Sequence, residues 1–410
     1  MIKKIIMILI SLSCLIGMAD AQHRIIVGAQ SECDTALSGC NPIPLSASFL
    51  CDGTGANLDC PQYFAPDWAD TTGLRFFGLT NRTNPPRCVK STNGGGVWGL
   101  CDAGTVSPFT GALDGLGASM SVASDGSLIA VGNQGANNCI IRKSVDYGVS
   151  WSTVFTDTDA SITCGLASGS PIPSMTHCAS ASSYCAVIAT VGAFDLVAVY
   201  STNNGDSWVR GTTFNIVSSD ANIHFAIAAD GNSGSLSRYN VTYSQATQTF
   251  ASTSGADWSK DGVVPIPSGE AAGTGRCASG AMIFSGQSVL CGPAATLPTT
   301  YHFFTHGAGS TASAANVIPQ NGLTNANLPD FMAVGFSGNT AYVIGRNATT
   351  SQIVLWVTRD TFSSMLQLST LTPTTAMLSG MPRGDILSYN GKIYFSSGAA
   401  GANAFLGVIQ

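Results

Sequence analysis

Carboxylates are the side chains of this sequence best suited to acid-base chemistry. Only two of its 23 acidic residues are glutamates, Glu32 and Glu270, so all the others are aspartates. A pair of carboxylates can hydrolyse a glycosidic bond, one acting as acid and the other as base or nucleophile. The aspartates near predicted loops are Asp67, Asp70, Asp114, Asp195, Asp257, Asp261, Asp330 and Asp385. Because no two of them share a distinguishing spacing, we interpret them as turn or capping residues.

The histidines and nucleophile motifs point to no metal or triad chemistry. Of the 5 histidines, only His302 and His306 are close in sequence, and a metal site there would need further ligands. The sequence has no C-x-x-C pair, no G-x-S-x-G followed by Asp and His, and no phosphate-binding glycine loop ahead of a helix. We therefore predict no bound metal and no cofactor.

The 13 cysteines favour disulfide bonds. Apart from Cys14 they are even in number and are spaced as near neighbours, and zinc is the less favoured alternative. Sequential pairing closes short loops throughout the chain. The predicted pairs are Cys33–Cys40, Cys51–Cys60, Cys88–Cys101, Cys139–Cys164, Cys178–Cys185 and Cys277–Cys291.

Residues 1–21 have the pattern of a secretory signal peptide. Lys3 and Lys4 precede an apolar stretch too short to span a bilayer, and Ala19-Asp20-Ala21 is a small-x-small cleavage site. Cys14 as a lipoprotein cysteine is the alternative interpretation. No later segment reaches 18 uninterrupted apolar residues, so we predict no transmembrane segment. The expected location is the periplasm, the cell surface or the medium.

The composition limits both the fold class and the partners. Charged residues make up 10% of the 410 residues, which is too few for long solvated helices. The formal net charge of −6 provides no basic surface to neutralise a phosphate backbone. Nucleic acid is therefore excluded as a partner, and the expected partner is a glycan or an extracellular protein.

Three segments share the pattern Ser-x-Asp/Asn-x-Gly-x-x-Trp, and each follows a β-rich run. We call them boxes 1, 2 and 3. Their defining residues are Ser91, Asn93, Gly95 and Trp98 in box 1, Ser144, Asp146, Gly148 and Trp151 in box 2, and Ser201, Asn203, Gly205 and Trp208 in box 3. A shorter copy, box 4, contains Ser252, Gly255 and Trp258. Degenerate copies lie near Thr305 and from Thr358 to Met365, where Asp360 remains.

The spacing of the boxes predicts the fold. They begin at 91, 144, 201, 252, near 305 and at 358, about 53 residues apart. A repeat of this length is typical of a four-stranded propeller blade, and residues 22–410 hold about seven such repeats. We predict one all-β domain over 22–410, a seven-bladed β-propeller of four-stranded antiparallel blades.

A propeller that stays open exposes a strand edge, so we predict closure by pairing of the N- and C-terminal strands. Residues 24–28 are expected to lie in the last blade, beside 386–397 and 403–409. Residues 31–70, which contain four cysteines and many turn formers, are expected to form a disulfide-stapled excursion before the first blade.

The repeated pattern resembles the Asp-box, also called the bacterial neuraminidase repeat, of sialidases, sortilin-type receptors and several glycoside hydrolases of propeller fold. The resemblance extends through the repeats from about 74 to 365. It implies a turn between the third and fourth strands of each blade. Asp or Asn accepts hydrogen bonds from turn amides, Gly adopts a positive φ, and Trp packs between blades. The resemblance thus implies a structural role for the box residues.

Sialidases clamp a carboxylate with three arginines and use a Tyr-Glu pair as nucleophile. The resemblance implies an alternative catalytic set of Arg276, Arg346, Arg383, Glu270 and Tyr389. The family's N-terminal arginine motif is matched only in part, because His23-Arg24-Ile25-Ile26 lacks its aromatic residue and proline. We therefore assign no catalytic residues and expect a carbohydrate- or protein-binding module. A sialidase-like exo-glycosidase is the alternative.

Overall fold

β-Strands make up nearly all the regular structure that the computed structural model of the chain describes. The described residues are 47–52, 61, 63–80, 85–102, 107–109, 118–133, 139–157, 162–164, 175–179, 182–191, 195–215, 227–230, 233–238, 247–252, 255–264, 283–284, 287–293, 300–307, 313–319, 329–337, 340–347, 353–358, 366–371, 383–389, 392–398 and 404–409. Within these ranges, no helix is long and apolar enough to cross a bilayer. The predicted signal peptide lies outside them.

The strands of these ranges form seven antiparallel sheets in which successive strands pair. Sheet 1 contains β2 (Tyr63–Pro66), β3 (Phe76–Thr80), β4 (Arg87–Ser91) and β5 (Gly99–Leu100), and sheet 2 contains β6 (Ser119–Val122), β7 (Leu128–Asn133), β8 (Cys139–Ser144) and β9 (Ser152–Thr156). Sheet 3 contains β10 (Ile162–Thr163), β11 (Met175–Cys178), β12 (Cys185–Val191), β13 (Asp195–Ser201) and β14 (Val209–Asn215). Its first strand is divided, because β10 and β11 both pair with β12.

The remaining sheets repeat the order of four. Sheet 4 contains β15 (Ile227–Asp230), β16 (Ser233–Arg238), β17 (Thr247–Ser252) and β18 (Ser259–Val264), and sheet 5 contains β19 (Ile283–Phe284), β20 (Gln287–Pro293), β21 (Thr300–Gly307) and β22 (Ser313–Pro319). Sheet 6 contains β23 (Pro329–Ser337), β24 (Thr340–Asn347), β25 (Ile353–Thr358) and β26 (Leu366–Leu371), and sheet 7 contains β27 (Arg383–Tyr389), β28 (Lys392–Gly398), β29 (Ala404–Ile409) and β1 (Ala47–Asp52).

Contacts between first strands arrange the sheets around an axis. Strand β23 contacts β27, β27 contacts β2, β2 contacts β6, β6 contacts β11, and β11 contacts β15. Four-stranded sheets packed face to face around their first strands make a β-propeller, which confirms that part of the prediction. The strands beside such an axis are covered on both faces, and Ser119–Val122 of β6 is buried at every position.

The closing strand differs from the expected one. Ala47–Asp52 pairs antiparallel with β29, from Ala47 opposite Ile409 to Asp52 opposite Phe405. This strand takes the edge that the sequence interpretation gave to residues 24–28, which lie outside the described residues. The expected excursion over 31–70 also needs correction, because that range supplies both β1 and β2. Both strands carry apolar residues that the excursion interpretation left without a core to join.

Three of the predicted disulfides are formed. Cys88–Cys101 bridges the box 1 hairpin, Cys139–Cys164 joins β8 to the residue after β10, and Cys178–Cys185 links β11 to β12. Their Cα atoms are 5.4, 4.7 and 4.0 Å apart. The other three predicted pairs involve residues outside the described ranges or side chains that are not described. Within sheets 1 to 3, each disulfide thus fastens a strand to its own sheet.

Candidate functional site

Boxes 1, 2 and 3 have one hydrogen-bonded structure. Each begins at the last residue of the third strand and links it to the fourth. The serine hydroxyl donates to the Asn or Asp side chain and accepts the glycine N–H, and the Asn or Asp side chain also accepts the N–H four residues on. These distances are 2.9, 3.0 and 2.8 Å in box 1, 2.7, 2.8 and 2.9 Å in box 2, and 2.8, 2.9 and 3.0 Å in box 3. The polar atoms that the three boxes share are therefore used within the turn.

Asp146 is the only ionisable residue among the three at the Asp/Asn position of these turns. Partial burial acts to raise its pKa, but hydrogen bonds from Ser150 and Ser144 outweigh this and hold the pKa below the ordinary 3.8. Such a carboxylate is a poor general acid, because it remains ionised at neutral pH. This supports the structural role that the sequence interpretation gave to Asp146.

Each box glycine adopts a positive φ and rests against the preceding sheet. The φ angles are 88° at Gly95, 87° at Gly148 and 81° at Gly205. A Cβ on Gly148 would lie 2.7 Å from Cys88 Sγ and from Cys101 Cβ, so this glycine packs directly on the disulfide of sheet 1. Only a residue without a side chain fits this conformation and this space.

The box tryptophans are wedges between sheets, as predicted. Trp98 packs where sheets 7 and 1 meet, Trp151 between sheets 1 and 2, and Trp208 between sheets 2 and 3. Their indole N–H groups donate to the box glycine carbonyls at 2.8, 3.2 and 3.1 Å. The rings are thus occupied in the core and provide no sugar platform.

In box 4 a tyrosine hydroxyl replaces the tryptophan indole as the hydrogen-bond donor to the glycine carbonyl. Gly255 N–H donates to Ser252 Oγ at 2.8 Å, as in the other boxes, but the Gly255 carbonyl accepts the Tyr184 hydroxyl at 2.9 Å. The buried Trp258 indole N–H then has no acceptor among the described residues. Burial raises the pKa of Tyr184 well above its ordinary value, which keeps this hydroxyl a donor.

A cluster that the sequence interpretation missed lies between the first-strand loop of sheet 1 and box 2. Asp67 is fully buried and accepts a charged hydrogen bond from Arg75 at 2.9 Å. The Arg75 guanidinium lies 4.7 Å from the centroid of the Tyr147 ring, and that ring stacks on Phe77 at 6.0 Å. Burial raises the pKa of Asp67 although Ala69 N–H and Arg75 act to lower it. The cluster links the first two sheets.

Asp70 has the turn role expected of it. Its carboxylate accepts the N–H groups of Thr72, Leu74 and Arg75 at 3.1, 3.0 and 2.8 Å, and the Thr72 hydroxyl at 2.8 Å. Burial acts to raise its pKa, but these hydrogen bonds hold it below the ordinary value. Asp70 therefore orders the loop that carries Arg75.

Tyr389 and Arg383 lie at opposite ends of the same strand. They are the last and first residues of β27, about 20 Å apart along an extended chain. Tyr389 packs edge-to-face against Trp68 and Phe76, and its hydroxyl donates to the Asp67 carbonyl at 3.4 Å. Burial and the charges of Asp70 and Asp67 raise the pKa of Tyr389, which makes it a weaker nucleophile.

The two described arginines of the alternative set lie toward the end of the sheets opposite the boxes. Arg346 pairs with Phe331 near the start of β23, and Arg383 begins the neighbouring first strand β27. First strands of successive blades run the same way along the axis, so both positions belong to one end. Glu270 and Arg276 lie outside the described residues.

The other candidates are dispersed. Asp195 begins β13, Asp261 lies in β18, Asp330 in β23 and Asp385 in β27. Asp257 accepts the Thr212 hydroxyl at 2.9 Å, whereas Asp114 and Asp360 lie outside the described ranges. His302 and His306 lie in β21, where they are opposite Gly292 and Ser288 of β20. Within the described part of the chain, no three His, Cys, Asp or Glu residues group as metal ligands.

Comparison with known proteins supports the fold alone. No protein-family model matches the chain. No curated protein matches it either. The solved BP39L lectin from Burkholderia pseudomallei superposes with a TM-score of 0.54 at 12% identity, covering 86% of this chain and 96% of the lectin. U3-55K gives 0.50 at 12% identity, with 88% and 97% covered. A six-bladed propeller lectin from Aleuria aurantia gives 0.46 at 13% identity, with 77% and 97% covered. The β-propeller fold itself follows from the sheets packed around their first strands.

Proposed function

We propose that the chain is an exported, seven-bladed Asp-box propeller that binds carbohydrate without hydrolysing it. Seven blades are supported by the seven sheets among the described residues and by the repeat of about 53 residues. Membership of the Asp-box group is supported by the shared hydrogen bonds of boxes 1 to 3. Export is supported by three disulfides and by the signal-like residues 1–21.

The position of Tyr389 carries the choice of binding over hydrolysis. A nucleophilic tyrosine must share one sugar with the arginines that clamp it. Tyr389 instead packs at the box end, against the loop of sheet 1, while Arg346 and Arg383 lie toward the opposite end. A ligand held at the arginine end would be out of reach of the tyrosine. The lectin of similar fold supports carbohydrate as the ligand class.

A glycan array combined with a hydrolysis assay tests this function. We expect the purified full chain to bind oligosaccharides on the array and to release neither sialic acid nor 4-nitrophenol from glycosides. We expect Tyr389→Phe to bind as the wild type does, since that substitution removes only one long hydrogen bond to Asp67. Glycan-independent capture of proteins without any array signal would replace the carbohydrate by a protein partner.

A sialidase-like exo-glycosidase is the second candidate, supported by the shared end of Arg346 and Arg383. Arginine is the residue type suited to a carboxylate-bearing sugar, and these two positions share one end of the sheets. This candidate requires release of sialic acid, and it requires that release to be lost in both Glu270→Gln and Tyr389→Phe. Activity that survives both substitutions would remove these residues from the mechanism.

A further inference from the structure

The outward positions of box 2 differ from those of its sister boxes. The residues between the fixed positions are Val145, Tyr147 and Val149, with exposed fractions of 75%, 48% and 47%. The corresponding residues are Thr92, Gly94 and Gly96 in box 1 and Thr202, Asn204 and Asp206 in box 3. The turn forms with either set, so the fold does not require the apolar set of box 2. Exposed apolar side chains gathered in one place mark a contact site.

Tyr147 also has a backbone conformation that its side chain disfavours. Its φ is 61°, in the left-handed region, where the matching residues Gly94 and Asn204 have φ angles of 75° and 55°. Glycine and asparagine tolerate this region, whereas a bulky residue there is uncommon. Strain of this kind often persists where the side chain has a function. The question is therefore what the ring of Tyr147 contacts.

Its neighbours hold the ring while leaving nearly half of the residue exposed. Phe77, which is fully buried, lies parallel to it with 5° between the ring planes. Arg75 lies over the ring and is itself fixed by the buried Asp67 carboxylate at 2.9 Å. The Arg75 side chain remains 32% exposed. We call Arg75, Val145, Tyr147 and Val149 the Tyr147 platform.

The size of the platform favours a small ligand over a protein. A stable protein interface uses about 20–30 residues on each side. The described surface exposes only six large apolar side chains, of which three belong to the platform and the others are Leu74, Val97 and Val209. A fixed aromatic ring beside a few hydrogen-bonding groups instead fits the class of site that recognises small polar molecules with an apolar face.

We propose that the Tyr147 platform is a sugar-binding subsite on the box end of the propeller. The apolar C–H face of a pyranose packs against the Tyr147 ring and the neighbouring valines, and its hydroxyls accept hydrogen bonds from the exposed part of Arg75. The ring is held before binding, so little conformational freedom is lost on association. This inference rests on the proposed carbohydrate-binding function and adds the place where the sugar binds.

The test compares variants of the full chain by titration calorimetry with the free oligosaccharide that gives the strongest array signal. Tyr147→Asn installs the box 3 residue, which suits the positive φ, and Tyr147→Phe keeps the ring. Val209→Thr is the control, because it alters an exposed valine outside the platform. We expect affinity to fall about tenfold or more in Tyr147→Asn, to stay within about threefold in Tyr147→Phe, and to be unchanged in Val209→Thr.

The outcomes separate the subsite from the function. Wild-type affinity in a Tyr147→Asn variant with an unchanged thermal midpoint would overturn the platform and leave the carbohydrate-binding function standing. Absence of any oligosaccharide binding by the wild type would overturn both. Capture of a glycoprotein that persists after enzymatic removal of its glycans, and that depends on Tyr147, would assign the platform to a protein.

Discussion

At the scale of single residues, box 2 has a carboxylate at the position where boxes 1 and 3 have an amide. Asp146 occupies the position that Asn93 and Asn203 hold in the sister turns, and all three accept the same two hydrogen bonds. An amide and a carboxylate oxygen are equivalent acceptors here, so the turn does not depend on the charge. Only the carboxylate makes the turn sensitive to pH.

Asp146→Asn is therefore expected to remove the part of the free energy of unfolding that the wild type loses in acid. The pKa of Asp146 is below its ordinary 3.8 in the fold, so the unfolded chain binds the proton more readily. The contribution of Asp146 to stability is complete above the ordinary value of 3.8, which holds in the unfolded chain. It is lost as the pH falls from there through the folded pKa. In urea unfolding at a series of pH values, the wild type should lose stability relative to Asp146→Asn below about pH 4.

The reciprocal substitution is the control. Asn93→Asp places a carboxylate in the same hydrogen-bonded position of box 1 and should introduce the same acid-side loss. Parallel pH profiles for the wild type and Asp146→Asn would show that the turn does not perturb the carboxylate.

At the scale of the secondary-structure element, box 4 shows how one hydrogen bond is exchanged for another. In box 3 the Trp208 indole donates to the Gly205 carbonyl at 3.1 Å. In box 4 the Gly255 carbonyl receives Tyr184 from the preceding sheet, and Trp258 remains as a stacking partner of Phe214 at 6.3 Å. The tryptophan of box 4 therefore stabilises the fold by packing alone.

This difference predicts unequal costs for the same substitution. Trp208→Phe leaves the buried Gly205 carbonyl without its donor, a loss of about 1–3 kcal/mol beyond the smaller ring. Trp258→Phe removes an unpaired N–H and loses only packing. We expect Trp208→Phe to be about 1–2 kcal/mol more destabilising than Trp258→Phe in equilibrium unfolding. Equal costs would indicate that the Trp258 indole N–H has an acceptor in solution.

At the scale of the whole molecule, the ring depends on a strand from the other end of the chain. Ala47–Asp52 covers β29, and Leu50 packs with Trp98, Tyr394 and Leu406 where sheets 7 and 1 meet. In contrast, β9, the fourth strand of sheet 2, is mostly exposed. It follows the other three strands of its sheet directly in the chain. Of these two fourth strands, only β1 pairs with a strand from the other end of the chain.

Replacing Ala47–Asp52 by a glycine-serine stretch of equal length should open the ring. We expect a thermal midpoint lower by about 5 °C or more, and fast hydrogen exchange along 404–409, because β29 becomes an unpaired edge. The same replacement of Ser152–Thr156 in β9 is the control and should leave exchange along 404–409 slow. Slow exchange in both variants would mean that β1 does not close the ring.

The repeat units were predictable from sequence because their signals are local. A box needs a serine, an acceptor, a glycine and a tryptophan at fixed spacing, and each makes its hydrogen bond within about five residues. The three described disulfides were predictable for a related reason, since each joins strands of one sheet. The all-β class and the blade period follow from these short-range patterns.

The closing strand and the Tyr147 cluster could not be found in this way. Residues 24–28 and 47–52 are both apolar enough to pair with the last strand, and only the packing of Leu50 beside Trp98 selects one of them. Arg75, Tyr147 and Tyr389 are far apart in sequence and carry no shared motif. Sequence alone determined the repeating turns, because their energies are local. Tertiary structure decided which segment closes the ring and which side chains meet at Asp67, because those contacts exist only after distant sheets pack.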